Sequence, residues 1–241
     1  MKVMITGGSG RLGRELLKLF PDATAPNHKK MDISSDWNVD CFLEDTKPDL
    51  LIHTAALTSV RECEKDKKKA WQVNVEGTRN LVKACLTHCP EVYFVYISTA
   101  CIFSGEQGMY TETDSPNPKN HYALTKLVGE SLPTVLMKWL VIRTNFVAKE
   151  PWPYPKAFTD RYGTYLFAND VARALKEVTE EGLVGIVHIV GEKRMSMFEL
   201  AKKVSPSVKP MSLKEYKGPP LTRDMSLDTL NWRKHMISEV A

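Results

Sequence analysis

The stretch Lys2-Val3-Met4-Ile5-Thr6-Gly7-Gly8-Ser9-Gly10-Arg11-Leu12-Gly13 decides how this chain is read. Residues 2–6 are a short apolar run of the kind that forms a strand. Arg11 to Phe20 then brings Leu12, Leu16, Leu17, Leu19 and Phe20 to helical spacing, and Pro21 ends the helix. The glycines between them have separate uses. Gly7 permits the tight turn, Gly10 lets the backbone approach a pyrophosphate, and Gly13 lets the helix pack close to the sheet. Free N–H groups and the helix dipole at that turn favour an anion. A structural turn would use the same glycines, but the strand before and the helix after favour a dinucleotide.

Working outward, strands are expected at Asp49 to His53, Val92 to Ile97, Trp139 to Arg143 and Gly185 to Val190. A weak strand is expected within residues 21–33. Helices are expected from Ser34 or Ser35 to Asp45, with Trp37, Cys41 and Phe42 inward, and from Lys65 to His88, with Trp71 and Val75 inward. Further helices are expected at Asn120 to Glu130, Asn169 to Glu180 and Ser196 to Val204. Residues 150–162 read as a loop rich in proline and aromatics. Strand–helix alternation with short connections implies an α/β fold, a doubly wound parallel sheet with helices on both faces. Residues 1–147 carry that alternation, and residues 148–241 read as a small, reduced substrate-binding region interleaved with it.

Nicotinamide cofactors divide on the residue that ends the second strand, where an acid binds the ribose 2′-hydroxyl of NAD. Ala23-Thr24-Ala25-Pro26-Asn27-His28-Lys29-Lys30 offers no acid before Asp32, which favours NADP(H) over NAD(H).

The chemistry is carried by Tyr122-Ala123-Leu124-Thr125-Lys126. Positions i and i+4 share one helical face, so the Lys126 ammonium can approach the Tyr122 phenol. A free tyrosine titrates near 10, and a nearby cation is expected to move it down towards useful acid–base chemistry. Ser98-Thr99 follows the most apolar strand, at the carboxyl end where open α/β sheets gather ligands.

Taken with these motifs, the chain resembles the dTDP-4-dehydrorhamnose reductase family of extended short-chain dehydrogenase/reductases, with a Rossmann-like fold. The resemblance runs over nearly the whole chain. It rests on Thr6 to Gly13, Ala55-Ala56-Leu57-Thr58, Val73-Asn74, Ile97 to Phe103, Tyr110 to Pro118, Tyr122 to Lys126 with Gly129-Glu130, Asn169 to Ala172, Gly185 to Gly191, and Arg223 with Ser226 to Thr229. It implies a reductase of a nucleotide-linked 4-keto sugar. Tyr122 is then the proton donor, Lys126 lowers its pKa and binds the nicotinamide ribose, and Thr99 bonds the tyrosine or the substrate carbonyl. Gly10, Arg11 and Leu12 match the pyrophosphate turn, Asp32 and Ile33 the adenine contacts, and Ala56, Leu57 and Thr58, with Ala55, the strand-end contacts to the cofactor. At the substrate positions the chain departs from the family: Ala100 stands for an aspartate, Phe146 for a tryptophan, and the stretch from Val147 to Phe167 is shortened. Two other readings use the same residues: a nucleotide-sugar epimerase that retains NAD, and a non-catalytic NADP-binding protein like the regulatory subunit of methionine adenosyltransferase.

Composition sets the limits. The 241 residues are 43% hydrophobic and 26% charged, ordinary globular values that exclude whole-chain disorder, collagen and coiled coil. Val92 to Ile97, the longest purely apolar or aromatic run, is too short to cross a bilayer. Met1 to Thr6 meets glycines at once and does not read as a signal peptide. A net charge of +4 suits an anionic small ligand and does not argue for nucleic acid. Lys65 with Lys67, Lys68 and Lys69 reads as a solvated helix face. The five cysteines contain no CxxC pair. Cys85 and Cys89 read as packed helix residues rather than zinc ligands, no metal is expected, and the compartment expected is a reducing cytoplasm. Cys101 and His53 read as packing residues, and Asn74 as a tie between neighbouring backbone segments. Trp152 and Tyr154 could line a substrate mouth or belong to a plain surface loop. No membrane partner is expected, and a homodimer is left open.

Overall fold

The computed structural model describes residues 1–239. Five runs of β-branched, leucine and aromatic residues make the body of a parallel sheet: β1 (Val3–Thr6), β2 (Leu50–His53), β3 (Tyr93–Ile97), β4 (Lys138–Thr144) and β5 (Gly185–Gly191). A short sixth strand, β6 (Lys234–His235), completes the order β1-β2-β3-β4-β5-β6, every neighbour parallel. Successive residues of a strand face opposite sides, so a sheet covered on both faces needs apolar residues at consecutive positions.

The two faces divide the helices accordingly. Ile5, Ile52, Val95 and Ile142 pack beneath α1 (Arg11–Leu19) and α7 (Ala168–Glu180), through Leu12, Leu16, Val171 and Leu175. Met4, Leu51, Phe94 and Val141 face the other way, towards α2 (Asp36–Thr46) and α5 (Gly77–His88), through Val39, Leu43, Leu81 and Cys85. The doubly wound sheet read from the sequence is the architecture found. Beyond residue 148, α7, β5 and β6 supply one covering helix and two strands of this main body.

Several local expectations are corrected. The second strand shrinks to one bridge, Thr24 against Met4 on the outer side of β1, because Pro26 and the Asn27 turn that follow leave no run to pair. The long helix over 65–88 is broken into α3 (Val60–Lys65), α4 (Lys67–Trp71), a π-helical turn (Gln72–Glu76) and α5. Asp66 turns out of the helix and caps α4 by accepting from the Lys69 N–H. Ser35, not Ser34, caps α2, and in that helix Trp37 is 74% exposed while Val39 and Leu43 are the residues turned inward. Trp71 is exposed too. The expected loop over 150–162 holds a short strand, Lys156–Phe158, parallel to Lys209–Met211.

A third cluster carries the carboxyl side of the sheet. Phe103 and Tyr110 stack at 4.4 Å and pack with Tyr165, Phe167, Leu200, Met225 and Leu227. It ties the segment after β3 to α8 (Met197–Val204) and to the C-terminal residues. Among the described residues no helix is long and apolar enough to cross a membrane.

Candidate active site

The turn between β1 and α1 is a cradle made by leaving side chains out. Gly7 has φ +71°, in the left-handed region, and a Cβ on Gly13 would lie 2.2 Å from the Gly7 carbonyl oxygen. Gly10 is the helix cap and offers no side-chain bond to the first N–H groups of α1, and no acid stands in that first turn. Those donors face a cleft and suit an anion.

Two cavities meet at this turn. One, of about 500 Å³, reaches from Gly7 and Gly10 to Asp32, Ile33 and Ala55. The other, of about 430 Å³, runs from Arg11, Leu12 and Gly13 to Thr58, Thr99, Tyr122, Lys126 and Phe146. They share Gly10, Thr54 and Ala56. The cleft therefore has the form of a dinucleotide site, with a pocket at each end and the glycine cradle between them.

Nearly every residue singled out from the sequence lines this cleft. Leu57 does not: its backbone N–H and carbonyl are both held by the Asn74 side chain, at 2.7 and 3.0 Å. Asn74 also donates to the Thr125 hydroxyl at 2.9 Å, and so joins the strand end after β2 to α6 (His121–Ser131). Its seat is the π-helical turn, a distortion often found at functional sites. Ala100, read from the sequence as a substrate contact, is fully buried in the third cluster, within a short 3₁₀ turn, and is not among the residues that line the cleft.

Asn120 caps α6 by accepting from the Ala123 N–H at 2.9 Å, which sets Tyr122 and Lys126 at the carboxyl end of β3. The electrostatics differ from the sequence reading. Burial pushes the Tyr122 phenol above its ordinary range, with Cys101 adding to the rise and the Thr99 hydroxyl working against it. The Lys126 ammonium sits over another ring. Its Nζ lies 3.9 Å from the centroid of the Tyr96 ring, and burial brings the ammonium down to about 7 while Glu130 works the other way. Tyr96 fits there because residue 129 is glycine, whose Cβ would lie 2.1 Å from the Tyr96 hydroxyl.

His53 is the buried core histidine expected. The Thr78 hydroxyl donates to the Asn74 carbonyl at 2.7 Å and so accepts from His53 Nε2 at 3.0 Å, leaving Nδ1 to accept from Thr6 at 2.7 Å. Burial first, and Lys126 second, bring His53 down to about 3, so the ring is neutral.

A buried ionic group behind the cleft was missed in the sequence. Arg143 Nε and Nη2 donate to the Glu130 carboxylate at 3.1 and 2.8 Å, and Ser98 Oγ donates to it at 2.5 Å. The available signal was the spacing Lys126 to Glu130, one helical turn. Thr144 and Asn145, at the end of β4, were also missed; both line the cavity beside Phe146. The five cysteines are free, and among the described residues no group of three or more His, Cys, Asp or Glu could hold a metal.

Known proteins share this fold and sequence pattern. The family model described as RmlD substrate binding domain covers residues 1–159. A dTDP-4-dehydrorhamnose reductase of Aggregatibacter actinomycetemcomitans is 30% identical over 230 residues, 83% of this chain and 76% of its own. The crystal structure of a dTDP-4-dehydrorhamnose reductase from Clostridium acetobutylicum superposes with a TM-score of 0.86 at 28% identity, covering 95% of this chain and 90% of that one. One from Bacillus anthracis, in complex with NADP, gives a TM-score of 0.85 at 26% identity, covering 95% and 91%.

Proposed function

From the premise that this chain belongs to the dTDP-4-dehydrorhamnose reductase family, we propose that it is an NAD(P)H-dependent reductase of a nucleotide-linked 4-keto sugar. The observation that carries the reading is one cavity lined by Thr99, Tyr122 and Lys126 that opens onto the glycine cradle. When bound, the nicotinamide cofactor supplies the hydride that reduces the ketone carbon. Tyr122 gives its hydroxyl proton to the ketone oxygen as charge develops there. A phenol held above its ordinary range arrives protonated at neutral pH, which suits reduction, where an acid is needed. Thr99 orients that hydroxyl, and Lys126 holds the nicotinamide ribose and stabilises the phenolate once the proton has left. Gly10, Arg11 and Leu12 hold the pyrophosphate, Asp32 and Ile33 the adenine end, and Ala55, Ala56 and Thr58 the middle of the cofactor. Phe146 packs against the sugar. Residues 1–147 carry the cofactor, and parts of 148–241 close over the substrate.

NADP(H) is the favoured cofactor. Asn27, His28 and Lys69 line the adenine-side cavity, and the carboxylate there is engaged already: Asp32 accepts from the Ser34 N–H at 2.9 Å and hydroxyl at 2.8 Å. A hundredfold preference for NADH over NADPH would overturn this assignment. The free cysteines support a reducing compartment. A homodimer is the assembly to test, by light scattering.

The test of the whole reading is loss of NADPH absorbance on adding dTDP-4-dehydro-L-rhamnose to the purified protein; no loss removes that substrate. NAD retained through purification would favour an epimerase. An unchanged cellular phenotype in Tyr122→Phe would favour a regulatory protein.

A further inference from the structure

We propose that Glu130 is a positioning residue of the reaction: it keeps a positive charge on Lys126 and holds the Ser98–Thr99 strand end in place, while Arg143 opposes it on the same carboxylate. The inference rests on the reductase reading above.

Glu130 and Arg143 are almost wholly buried, with side chains 6% and 4% exposed. Their bonds bring three elements to one carboxylate. Glu130 belongs to α6, one turn after Lys126; Ser98 follows β3 and precedes Thr99; Arg143 stands near the end of β4. Every part of the reacting geometry is therefore braced against the same two oxygens.

Five titratable or charged groups lie around Lys126. Tyr122 and Glu130 come from α6, Tyr96 from β3 and His53 from β2, with Arg143 of β4 behind Glu130. His53 is neutral, and burial holds both phenols above their ordinary range, so protonated. Glu130 is then the one anion of the set and Arg143 the one further cation. Charges a few ångströms apart interact strongly away from water. An anion one turn from Lys126 favours its ammonium, and a cation bound to that anion takes part of the benefit away.

Opposite charges predict opposite shifts, which a bracing role alone would not produce. The measurement is the pH dependence of kcat/KM with NADPH and dTDP-4-dehydro-L-rhamnose, with NADPH binding by fluorescence as the check on folding. Loss of the ammonium sets the alkaline limb. That limb should move to lower pH by about half a unit or more in Glu130→Gln, and to higher pH by a similar amount in Arg143→Met. Ser98→Ala should leave the limb in place and lower kcat roughly tenfold with KM unchanged, the signature of a misplaced Thr99. Shifts of one sign in both charge variants, or a limb that moves in neither, would overturn the proposal. If either single variant fails to fold, the double variant Glu130→Gln/Arg143→Met leaves neither member of that ion pair stranded without the other, and NMR of its ¹⁵N-labelled Lys126 ammonium should titrate within about half a unit of wild type; a drop of a full unit overturns the proposal. The same NMR titration of the single variants needs no turnover. It separates this idea from the reductase reading, which fails only if wild type reduces no nucleotide sugar.

Discussion

The two ends of the cleft are built by opposite means. The cradle end works through what it lacks: no side chain at Gly7, Gly10 or Gly13, and a helix start without a side-chain cap. The reacting end works through side chains: a phenol, an ammonium on an aromatic ring, and a buried carboxylate shared by a serine and an arginine. Backbone donors recognise the part of a ligand common to many enzymes, and side chains recognise the part that varies. One end tolerates almost no added atom, whereas the other depends on the charge of each group it holds.

The sharpest way to break this contrast is Gly13→Ala. Its methyl would fall on the Gly7 carbonyl, so the turn and α1 must part. NADPH affinity should fall by roughly 100-fold or more, or the protein should lose cooperative melting; near-normal binding by fluorescence titration would show that the cradle is not what holds the cofactor. Tyr122→Phe should do the reverse. It should lower kcat roughly 100- to 10,000-fold while NADPH affinity stays within about threefold, because it removes one transferable proton and nothing from the cradle. Stopped-flow reduction with equilibrium binding decides it.

Acid tests the buried ring that lies between the two ends. His53 is held neutral to about 3 in the fold and titrates near 6.5 when unfolded, so the unfolded chain binds more protons below 6.5 and stability falls with falling pH. Between pH 6.5 and 5 the loss should approach about 2 kcal/mol, and guanidinium unfolding of His53→Gln should lack most of it. The smallest effect belongs to a site outside the cleft. Ser196 caps α8 with its hydroxyl accepting from the Glu199 N–H at 3.1 Å, and Ser196→Ala should cost about 1 kcal/mol in thermal unfolding without altering NADPH binding or kcat.

What the sequence made legible follows the same division. The cradle could be read residue by residue because turns, caps and close approaches impose local demands that only glycine meets. The sheet could be read because strands covered on both faces need consecutive apolar residues, as Leu50 to Ile52 have. The pairing of Lys126 with Tyr122 was drawn from helical spacing alone, and spacing does not say which neighbour a long side chain prefers. Tyr96, 30 residues earlier, took the ammonium instead. The Ser98–Glu130–Arg143 group was hidden for the same reason, since three elements distant in sequence meet at one carboxylate. Trp37 went to solvent because α2 packs on the sheet through Val39 and Leu43, and Trp37 lies off that face.

The close approach of Gly129 to Tyr96 has an evolutionary consequence. The two positions form one unit of inheritance. While an aromatic ring at 96 carries Lys126, any residue larger than glycine at 129 would collide with it. A lineage could free position 129 only by first shrinking residue 96, and that step would remove the seat of the ammonium. Position 129 is thus closed to drift until position 96 has changed, so among descendants of this chain a larger residue at 129 should be found only where the ring at 96 has already been lost.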